Sequence, residues 1–558
     1  MSDEVKKSVP PLRNAVRIVP LGGLGEVGRN CNVLEYQGKL VVADCGVLFP
    51  EEAQPGVDLI LPNLDYLEDR LDDIAAIVLT HGHEDHIGAV PYLLKMRPDI
   101  PVIGSQLTIA FVEAKLQEHH IAPNVTVVAE GDSMRIAGME FEFIAVNHSI
   151  PDALALFIRT PEGNILITGD FKMDQLPLDG RLTDLRAFAA AGDEGVDLFM
   201  CDSTNAEIPG FVHSESEIQP VIDSVIGGAT GQIVVASFAS HVHRVQQVLN
   251  AAAHNGRKVA FVGRSMVRNM KIAEDLGYLD VPEGTVVDLK NMKDLPENRR
   301  IYMSTGSQGE PMAVLSRIAN RSHHKVAINP GDTVLLASSL IPGNENSVFR
   351  VINGLIKLGA NVIHQGNARV HVSGHAAQGE LLYCYNILQP AYAMPIHGEV
   401  RHQVANAGVA VKTGVPADNV ILAENGSVID MSEGEVRLVG SVPFQNIYVD
   451  GSSVGDITES ELKDRQILSN EGFIAIFAVV DTNARRIVTG PHLQARAMAE
   501  DETVFDSITP EVTRALEEAV AKGSDSYGMQ QAMRRVVGRW VSRKLRRSPL
   551  IIPTVVEV

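Results

Sequence analysis

Thr80-His81-Gly82-His83-Glu84-Asp85-His86 follows directly on the apolar run Ile77-Val78-Leu79. The run Asp73-Ile74-Ala75-Ala76-Ile77-Val78-Leu79 reads as a buried strand, and Gly82 marks a turn at which the backbone leaves the sheet. His81, His83, Asp85 and His86 are ligands that a borderline divalent ion such as Zn2+ accepts, at about 2.0–2.2 Å each. One ion does not comfortably take all four. The spacing predicts two ions, His81 and His83 on one, Asp85 and His86 on the other. An exposed loop that is merely rich in histidine competes with this reading, but the strand before the motif is the context a metal loop requires. His83-Glu84-Asp85-His86 is no zincin helix, because that motif needs its histidines four apart.

Outward from this loop, several strands deliver ligand-type residues to their ends. Lys39-Leu40-Val41-Val42-Ala43 ends in Asp44-Cys45-Gly46, where a carboxylate can orient a ligand histidine from behind or simply cap a turn. A helix is predicted over Ala89–Lys95, and strands over Val102–Gly104 and Val125–Val128. Phe141-Glu142-Phe143-Ile144-Ala145-Val146 ends at Asn147-His148, and Asn164-Ile165-Leu166-Ile167-Thr168-Gly169 ends at Asp170. Alone, His148 or Asp170 is more often structural; with the first loop they complete a ligand set.

The start of the chain offers a false lead. Gly23-Leu24-Gly25-Glu26-Val27-Gly28 matches GxGxxG after the strand Ala15–Pro20, but Cys31-Asn32-Val33-Leu34-Glu35-Tyr36 behind it is a strand pattern where a dinucleotide site needs a helix. A hairpin whose loop faces the active site is the better reading. Residues 1–13 are expected to be a flexible tail.

At 558 residues the chain has room for roughly three or four domains. With 45% hydrophobic and 21% charged residues it has the composition of a soluble globular protein. Cys31, Cys45, Cys201 and Cys384 show no CxxC pairing and sit in or near apolar stretches, which predicts buried free thiols in a reducing compartment. The first residues lack an apolar signal core and no run of about 18 apolar residues occurs, so a cytoplasmic protein is expected, with no membrane partner. A net charge of -21 argues against coating nucleic acid by bulk electrostatics. It does not exclude a nuclease, since two divalent ions and a few arginines reverse the potential inside one cleft.

The loop at 81–86, with Asp44 before it and His148, Asp170 and His397 after it, closely resembles the metallo-β-lactamase superfamily pattern. Leu198-Phe199-Met200-Cys201-Asp202-Ser203-Thr204-Asn205, Ser237-Phe238-Ala239-Ser240, His371-Val372-Ser373-Gly374-His375 and Pro395-Ile396-His397-Gly398-Glu399 narrow the resemblance to the β-CASP branch, specifically the ribonuclease J family of bacterial type. It covers the chain from about Val16 onward. It implies an α/β fold, a metallo-β-lactamase αββα sandwich interrupted by a β-CASP α/β domain, plus a small α+β C-terminal domain. The expected boundaries are 14–208 and 352–431 for the discontinuous first domain, 209–351 for the insertion, 432–456 for a linker and 457–558 for the terminal domain.

Within 209–351, the strands Gln232–Ala236, Lys258–Val262 and Thr333–Ala337 alternate with helical stretches, which predicts a parallel sheet. Asn361-Val362-Ile363 is expected to begin the return to the first domain. In the terminal domain a hairpin is predicted over Gly472–Val480 and Arg486–Val488, helices over Pro510–Ala521 and Gln530–Leu545, and a last strand at Thr554–Val558. The second helix carries Arg534, Arg535, Arg539, Arg543 and Lys544; it either touches RNA or is a solvated or dimer-facing helix, the latter being favoured.

Carried over from the family, the ligand set is His81, His83 and His148 for one ion, Asp85, His86 and His397 for the other, and Asp170 bridging, with Asp44 behind them. Two Zn2+ per subunit are implied, with Mn2+ or Mg2+ as alternatives. His375 and Asp202 join Asp85 as catalytic candidates, His375 beside the leaving oxygen and Asp202 orienting it. His371, Val372, Ser373, Gly374 and His375, with Ser237, form the expected phosphate pocket. The resemblance implies a two-metal ribonuclease on single-stranded RNA, with 5′-to-3′ exonuclease activity favouring a 5′ monophosphate and endonuclease activity besides. It also implies a homodimer or homotetramer and partner proteins of RNA degradation. The competing classes are a DNA nuclease, a thioester or lactam hydrolase on the same metal core, and a non-enzymatic scaffold. The long insertion argues against the small-molecule hydrolase, and the complete ligand set against the scaffold.

Overall fold

The computed structural model describes residues 12, 14–51, 53–306, 313–338, 344–498 and 502–558. The expected tail over residues 1–13 lies outside these except for residue 12. The described chain forms two compact units, residues 1–49 with 60–447 and residues 50–59 with 448–558.

The first unit contains two sheets packed face to face. One has eight strands in the order Glu435–Ser441, Ser427–Ser432, Val16–Gly22, Cys31–Tyr36, Lys39–Ala43, Ile74–Val78, Val102–Gly104 and Val125–Val127. The other has six: Tyr392–Ile396, Leu198–Asp202, Gly163–Ile167, Leu154–Thr160, Met139–Ala145 and Ser133–Ile136. The core between them takes inward-facing residues from both, among them Ile18, Leu34, Val41 and Val78 from the first and Phe141, Phe143, Leu156, Met200 and Met394 from the second. Burying an aromatic or aliphatic side chain of this size contributes about 1.5–3 kcal/mol. A second core lies under the helices Leu185–Glu194, Gln378–Leu388 and Val400–Lys412, which cover the six-stranded sheet with Phe188, Leu381, Tyr385 and Val409. The αββα sandwich expected from the sequence is therefore present.

The strands switch from antiparallel to parallel on the way to the site. Lys39–Ala43 and Ile74–Val78 run parallel, as do Gly163–Ile167, Leu198–Asp202 and Tyr392–Ile396. Parallel neighbours share one C-terminal edge, so the residues after them, Asp44, the 80–86 loop, Asp170, Asp202 and His397, arrive together although the chain between the first and last exceeds three hundred residues.

The inserted portion has a five-stranded, wholly parallel sheet in the order Lys258–Val262, Arg300–Ser304, Ile233–Ala236, Thr333–Leu336 and Asn361–Ile363. The parallel sheet matches the sequence reading. Asn361–Ile363, expected to begin the return, instead closes the edge of this sheet, and Val348, Val351, Ile352 and Leu355 of the helix before it pack into the same core. The strand is short and apolar, and only its pairing reveals which sheet it joins.

The stretch from Ser432 onward, read as a connector with short strands such as Val436–Val439, does carry a strand there, but that strand belongs to the large sheet. Ser427–Ser432 and Glu435–Ser441 form a hairpin that extends the eight-stranded sheet by pairing with Val16–Gly22. Its turn is Glu433-Gly434, both with positive φ (51° and 77°), a two-residue loop whose twist suits adjoining strands. Its second strand, Glu435–Ser441, is polar and largely exposed at the sheet edge, which is why its composition resembles a connector, whereas Val428, Ile429 and Met431 of the first strand are buried. The Gly23–Gly28 segment does join two antiparallel strands, as the hairpin reading required.

In the second unit Phe473–Asp481 is the central strand, antiparallel to Arg486–Arg496 and parallel to Leu550–Glu557. The helices Glu459–Glu471, Thr509–Ala521 and Ser526–Lys544 accompany it. Met529, Met533, Val537 and Val541, spaced by four, bury one face of the last helix. Arg534, Arg535, Arg539, Arg543 and Lys544 are all exposed. Among the described residues no helix is long and apolar enough to cross a membrane, and all four cysteines are buried and free.

Candidate metal centre

The 80–86 loop leaves the parallel strand Ile74–Val78, passes Gly82 and starts a short helix at Glu84, so that His81 and His83 point from the loop and Asp85 and His86 from the first helical turn. Asp44 and His397, each just past a strand end and one from each sheet, both hold left-handed backbone (φ 60° and 49°), a strained conformation for non-glycine residues that concentrates at functional positions. Gly46 is required by close approach: a Cβ there would stand 1.7 Å from the carbonyl oxygen of Asp85.

Two groups of ligand atoms converge. His81, His83, His148 and Asp170 form one; Asp85, His86, His397 and Asp170 form the other. In the first, His83 Nδ1 lies 3.1 Å from His81 Nε2 and 3.0 Å from His148 Nε2, and Asp170 Oδ2 lies 3.6 Å from each of those Nε2 atoms. In the second, Asp85 Oδ2 lies 3.2 Å from His397 Nε2 and 3.7 Å from His86 Nε2, while Asp170 Oδ1 is 3.2 Å from His86 Nε2. Asp170 thus turns one oxygen to each group. Its Oδ1 is buried and accepts no hydrogen bond. Donors that share a tetrahedral ion at about 2.0–2.2 Å stand roughly 3.3–3.6 Å apart, so the residues present fit two cations of the zinc kind.

The outer ring nitrogens are already engaged. His81 Nδ1 is 3.0 Å from Thr80 Oγ1, which is also 2.9 Å from Asp44 Oδ2. His86 Nδ1 donates to Asp44 Oδ2 at 2.8 Å, His148 Nδ1 to the carbonyl of Gly374 at 2.8 Å, and His397 Nδ1 to Thr204 Oγ1 at 2.7 Å. Each bond holds a proton on Nδ1 and turns Nε2 inward, the orientation a metal ligand needs once Nε2 carries no proton of its own. His83 turns Nδ1 to the first group, and the Nδ1 of His397, besides its bond to Thr204, lies 3.4 Å from Asp170 Oδ1. Asn30, at the end of the Gly23–Gly28 loop, sets its amide 3.1 Å from His86 Nε2.

Electrostatics divide the two groups. Burial holds His81 and His148 well below the usual histidine range, and His83 down to about 4. Burial also disfavours charge on His86 and His397, but around His86 the carboxylates of Asp170, Asp44 and Asp85 prevail and raise it well above that range. His397 is likewise pushed up to about 10 by Asp170 with Asp202 and Asp85. Burial would raise Asp170, yet His397, His86 and His375 keep it well below the usual carboxylate range. The second group, which gathers the carboxylates, is therefore built for positive charge, carried by protons or by a cation.

A third cluster adjoins: His375 Nδ1 lies 2.8 Å from Asp202 Oδ2, and His397 Nδ1 lies 3.4 Å from Asp202 Oδ1. Against burial, Asp202 and Asp170 raise the His375 imidazole above its ordinary value.

Over its full length the chain is 49% identical to ribonuclease J of Mycolicibacterium smegmatis, covering 100% of both proteins. It is 41% identical to ribonuclease J of Thermus thermophilus over 97% of this chain and 95% of that protein, and 36% identical to ribonuclease J2 of Bacillus subtilis over 97% and 99%. The chain belongs to the ribonuclease J family. The family's β-CASP domain matches residues 230–355 and its C-terminal domain residues 460–558. The metallo-β-lactamase superfamily model matches 24–203, and the Zn-dependent metallo-hydrolase RNA specificity domain matches 360–420. A solved structure of a protein of unknown function from Enterococcus faecalis V583 shares the fold, with a TM-score of 0.53 at 16% identity over 75% of this chain and 100% of that one. As a ribonuclease J family member the chain is a metal-dependent ribonuclease.

In this ribonuclease J family member the seven expected ligands, Asp44 behind them and the pair Asp202 and His375 beside them come together in one place. The expected phosphate stretch sits differently from residue to residue. Gly374 turns its carbonyl to His148, and Ser373 Oγ accepts from the backbone N–H of His375 at 3.2 Å. His371 is buried and faces His241, ring centroids 6.1 Å apart, while Ser237 is fully buried with its hydroxyl unbonded. Thr80, Thr204 and Asn30 were not singled out in the sequence. Thr80 and Thr204 each stand within two residues of a motif aspartate or histidine, which is the one signal that marks them.

Proposed function

We propose that the protein hydrolyses single-stranded RNA at a centre of two divalent ions, Zn2+ first and Mn2+ or Mg2+ as alternatives. It acts as a 5′-to-3′ exonuclease that favours 5′-monophosphate ends and as an endonuclease, in RNA maturation and decay in the cytoplasm. The observation that carries the reading is the split of Asp170, Oδ2 towards Nε2 of His81 and His148 and Oδ1 towards Nε2 of His86. His81, His83 and His148 would hold one ion, Asp85, His86 and His397 the other, and Asp170 would serve both. Bound there, two divalent ions supply an activated water and neutralise the charge of a phosphodiester.

The chain's own residues do the rest. Asp44 and Thr80 orient His86 and His81, and Thr204 orients His397. His375, whose imidazole Asp202 raises above its ordinary value, stands with a partly open side chain beside the metal cluster and gives its proton or a hydrogen bond to the leaving oxygen. His371 to His375, with Ser237, receive the 5′ phosphate. The terminal domain supports a homodimer or homotetramer, and partner proteins of RNA degradation join the assembly.

The test is product analysis on one RNA carrying a 5′ monophosphate or a 5′ triphosphate, with Zn2+ or Mn2+. Mononucleotides released chiefly from the monophosphate are expected. Internal fragments alone, from both substrates equally, leave an endonuclease and remove the phosphate pocket; no cleavage of RNA directs attention to single-stranded DNA.

A further inference from the structure

A buried polar junction lies behind the metal cluster, where four separate stretches of chain meet. Lys172 comes two residues after Asp170; Glu215 opens the inserted portion; His241, Arg244 and Gln247 belong to the helix Val242–His254 or its cap; Val370 and His371 lead into the stretch that ends at His375. Of the nine buried side-chain polar atoms without a hydrogen bond among the described residues, five gather here: Lys172 Nζ, Glu215 Oε1, both ring nitrogens of His241 and His371 Nδ1. Lys172 Nζ is 3.6 Å from Asp174 and 3.8 Å from Glu215, and His241 Nε2 is 3.6 Å from Glu215, all beyond hydrogen-bonding range. A cavity of about 10 Å3, bordered by His148, Lys172, Asp174 and Glu215, reaches from this junction to a metal ligand.

Against that loosely bonded background one side chain is fully engaged. Arg244 has no exposed surface. It donates to Glu215 Oε2 at 2.9 Å, to Gln247 Oε1 at 2.8 Å and to the backbone carbonyl of Val370. Gln247 in turn donates to the carbonyl of Glu215 at 2.7 Å, and the Glu215 N–H donates to Asp174 Oδ2 at 2.9 Å. A buried ion pair is a poor source of stability by itself, because desolvation offsets most of the attraction. What this one provides is geometry: a rigid planar fork joins the insertion's first turn and helix to the residue just before His371.

We infer that Arg244 and Glu215 form a buried clamp that positions segment 370–375 for reaction, placing His375 against the cluster and His371 to Ser373 for the RNA end. Four residues after the clamped carbonyl, Gly374 supports His148 through its own carbonyl, so the clamp acts on both the proton-donating side and the first metal group. These are positioning residues; neither touches the reacting atoms. The inference rests on the proposed role of 371–375.

Removing one partner leaves a buried unpaired charge and threatens the fold. The deciding variant is therefore the double Arg244→Met/Glu215→Met, compared with Arg244→Lys and the parent, each loaded with Mn2+ and assayed on RNA carrying a 5′ monophosphate or a 5′ hydroxyl. The double variant is expected to melt near the parent and hold the same metal content. Its kcat should fall about 10–100-fold, the cost of a misplacement near 1 Å, and its preference for the monophosphate should shrink, with Arg244→Lys recovering part of both. A folded, metal-loaded double variant with the parent's kcat and preference overturns the clamp. So does a loss of activity that only follows lost metal or lost stability. A parent enzyme without 5′ preference overturns the pocket reading instead, and the clamp then stands or falls on kcat alone.

Discussion

Nδ1 of His375 stands 2.8 Å from Oδ2 of Asp202, although 173 residues of chain separate them. The carboxylate ends one strand of the six-stranded sheet, and the imidazole rides on the segment that returns from the insertion. The pair is partly open to solvent only on the histidine side.

Asp202 raises the His375 imidazole, so the protonated form persists above the usual histidine range and is lost as pH rises through that raised value. In Asp202→Asn the fall of kcat on the alkaline side should begin at lower pH. His375→Ala should lower kcat by about 10²–10⁴ with metal content intact. Steady-state pH profiles of both variants check this; an unmoved alkaline limb in Asp202→Asn removes the pair's proposed role.

Asp44→Ala removes the acceptor of His86 Nδ1 and of Thr80. A supporting carboxylate of this kind is worth about 10–100-fold in metal affinity or activity. Metal content after dialysis, measured by elemental analysis, should drop in Asp44→Ala and drop further in His81→Ala or His397→Ala. Full hydrolysis in either histidine variant would sink the two-metal assignment.

Metal uptake should depend on pH differently in the two groups. His81, His83 and His148 are already neutral near pH 7, so their ion displaces few protons. His86 is raised well above the usual range and His397 to about 10, so the second ion must displace protons and its affinity should grow as pH rises towards 10. In the metal-free protein, the raised His397 contributes stability that is complete below its unfolded value of about 6.5 and is lost as pH rises through about 10. Calorimetric titration in buffers of different ionisation heat counts the protons; equal, pH-independent uptake at both steps contradicts the division.

Gly374→Ala would bring a Cβ within 2.7 Å of the His148 ring, against a carbonyl that also orients that ring. Overpacking of this order costs about 1–3 kcal/mol. The expected result is a folded protein with weakened binding of one ion and reduced kcat, read by thermal melting and metal analysis together.

Ending the chain after Ile447 removes the terminal unit except residues 50–59. A smaller assembly is expected by light scattering; an unchanged oligomer number removes the proposed role of that unit in association.

The histidine loop, the strand that precedes it and the other strand-end ligand candidates were legible because residues of metal-ligand type concentrate there at close spacing, and because buried strands announce themselves as apolar runs. The parallel alternation of the insertion was legible for the same reason. The affiliation of Asn361–Ile363 and of the edge strand Glu435–Ser441 was not, since a short edge strand carries too little pattern to say which sheet it will join.

The sequence by itself determined which side chains have the chemistry of metal ligands, and that strands would carry them, since ligand chemistry is a property of residue type. Only the tertiary structure decided that Asp170 divides its two oxygens between the groups, that Thr80, Asp44, Gly374 and Thr204 fix the histidine tautomers, and that Arg244 reaches the carbonyl of Val370. Those relationships join residues far apart in the chain through hydrogen bonds a few ångströms long. Their geometry follows from how parallel strand ends meet, which no local pattern of residues records.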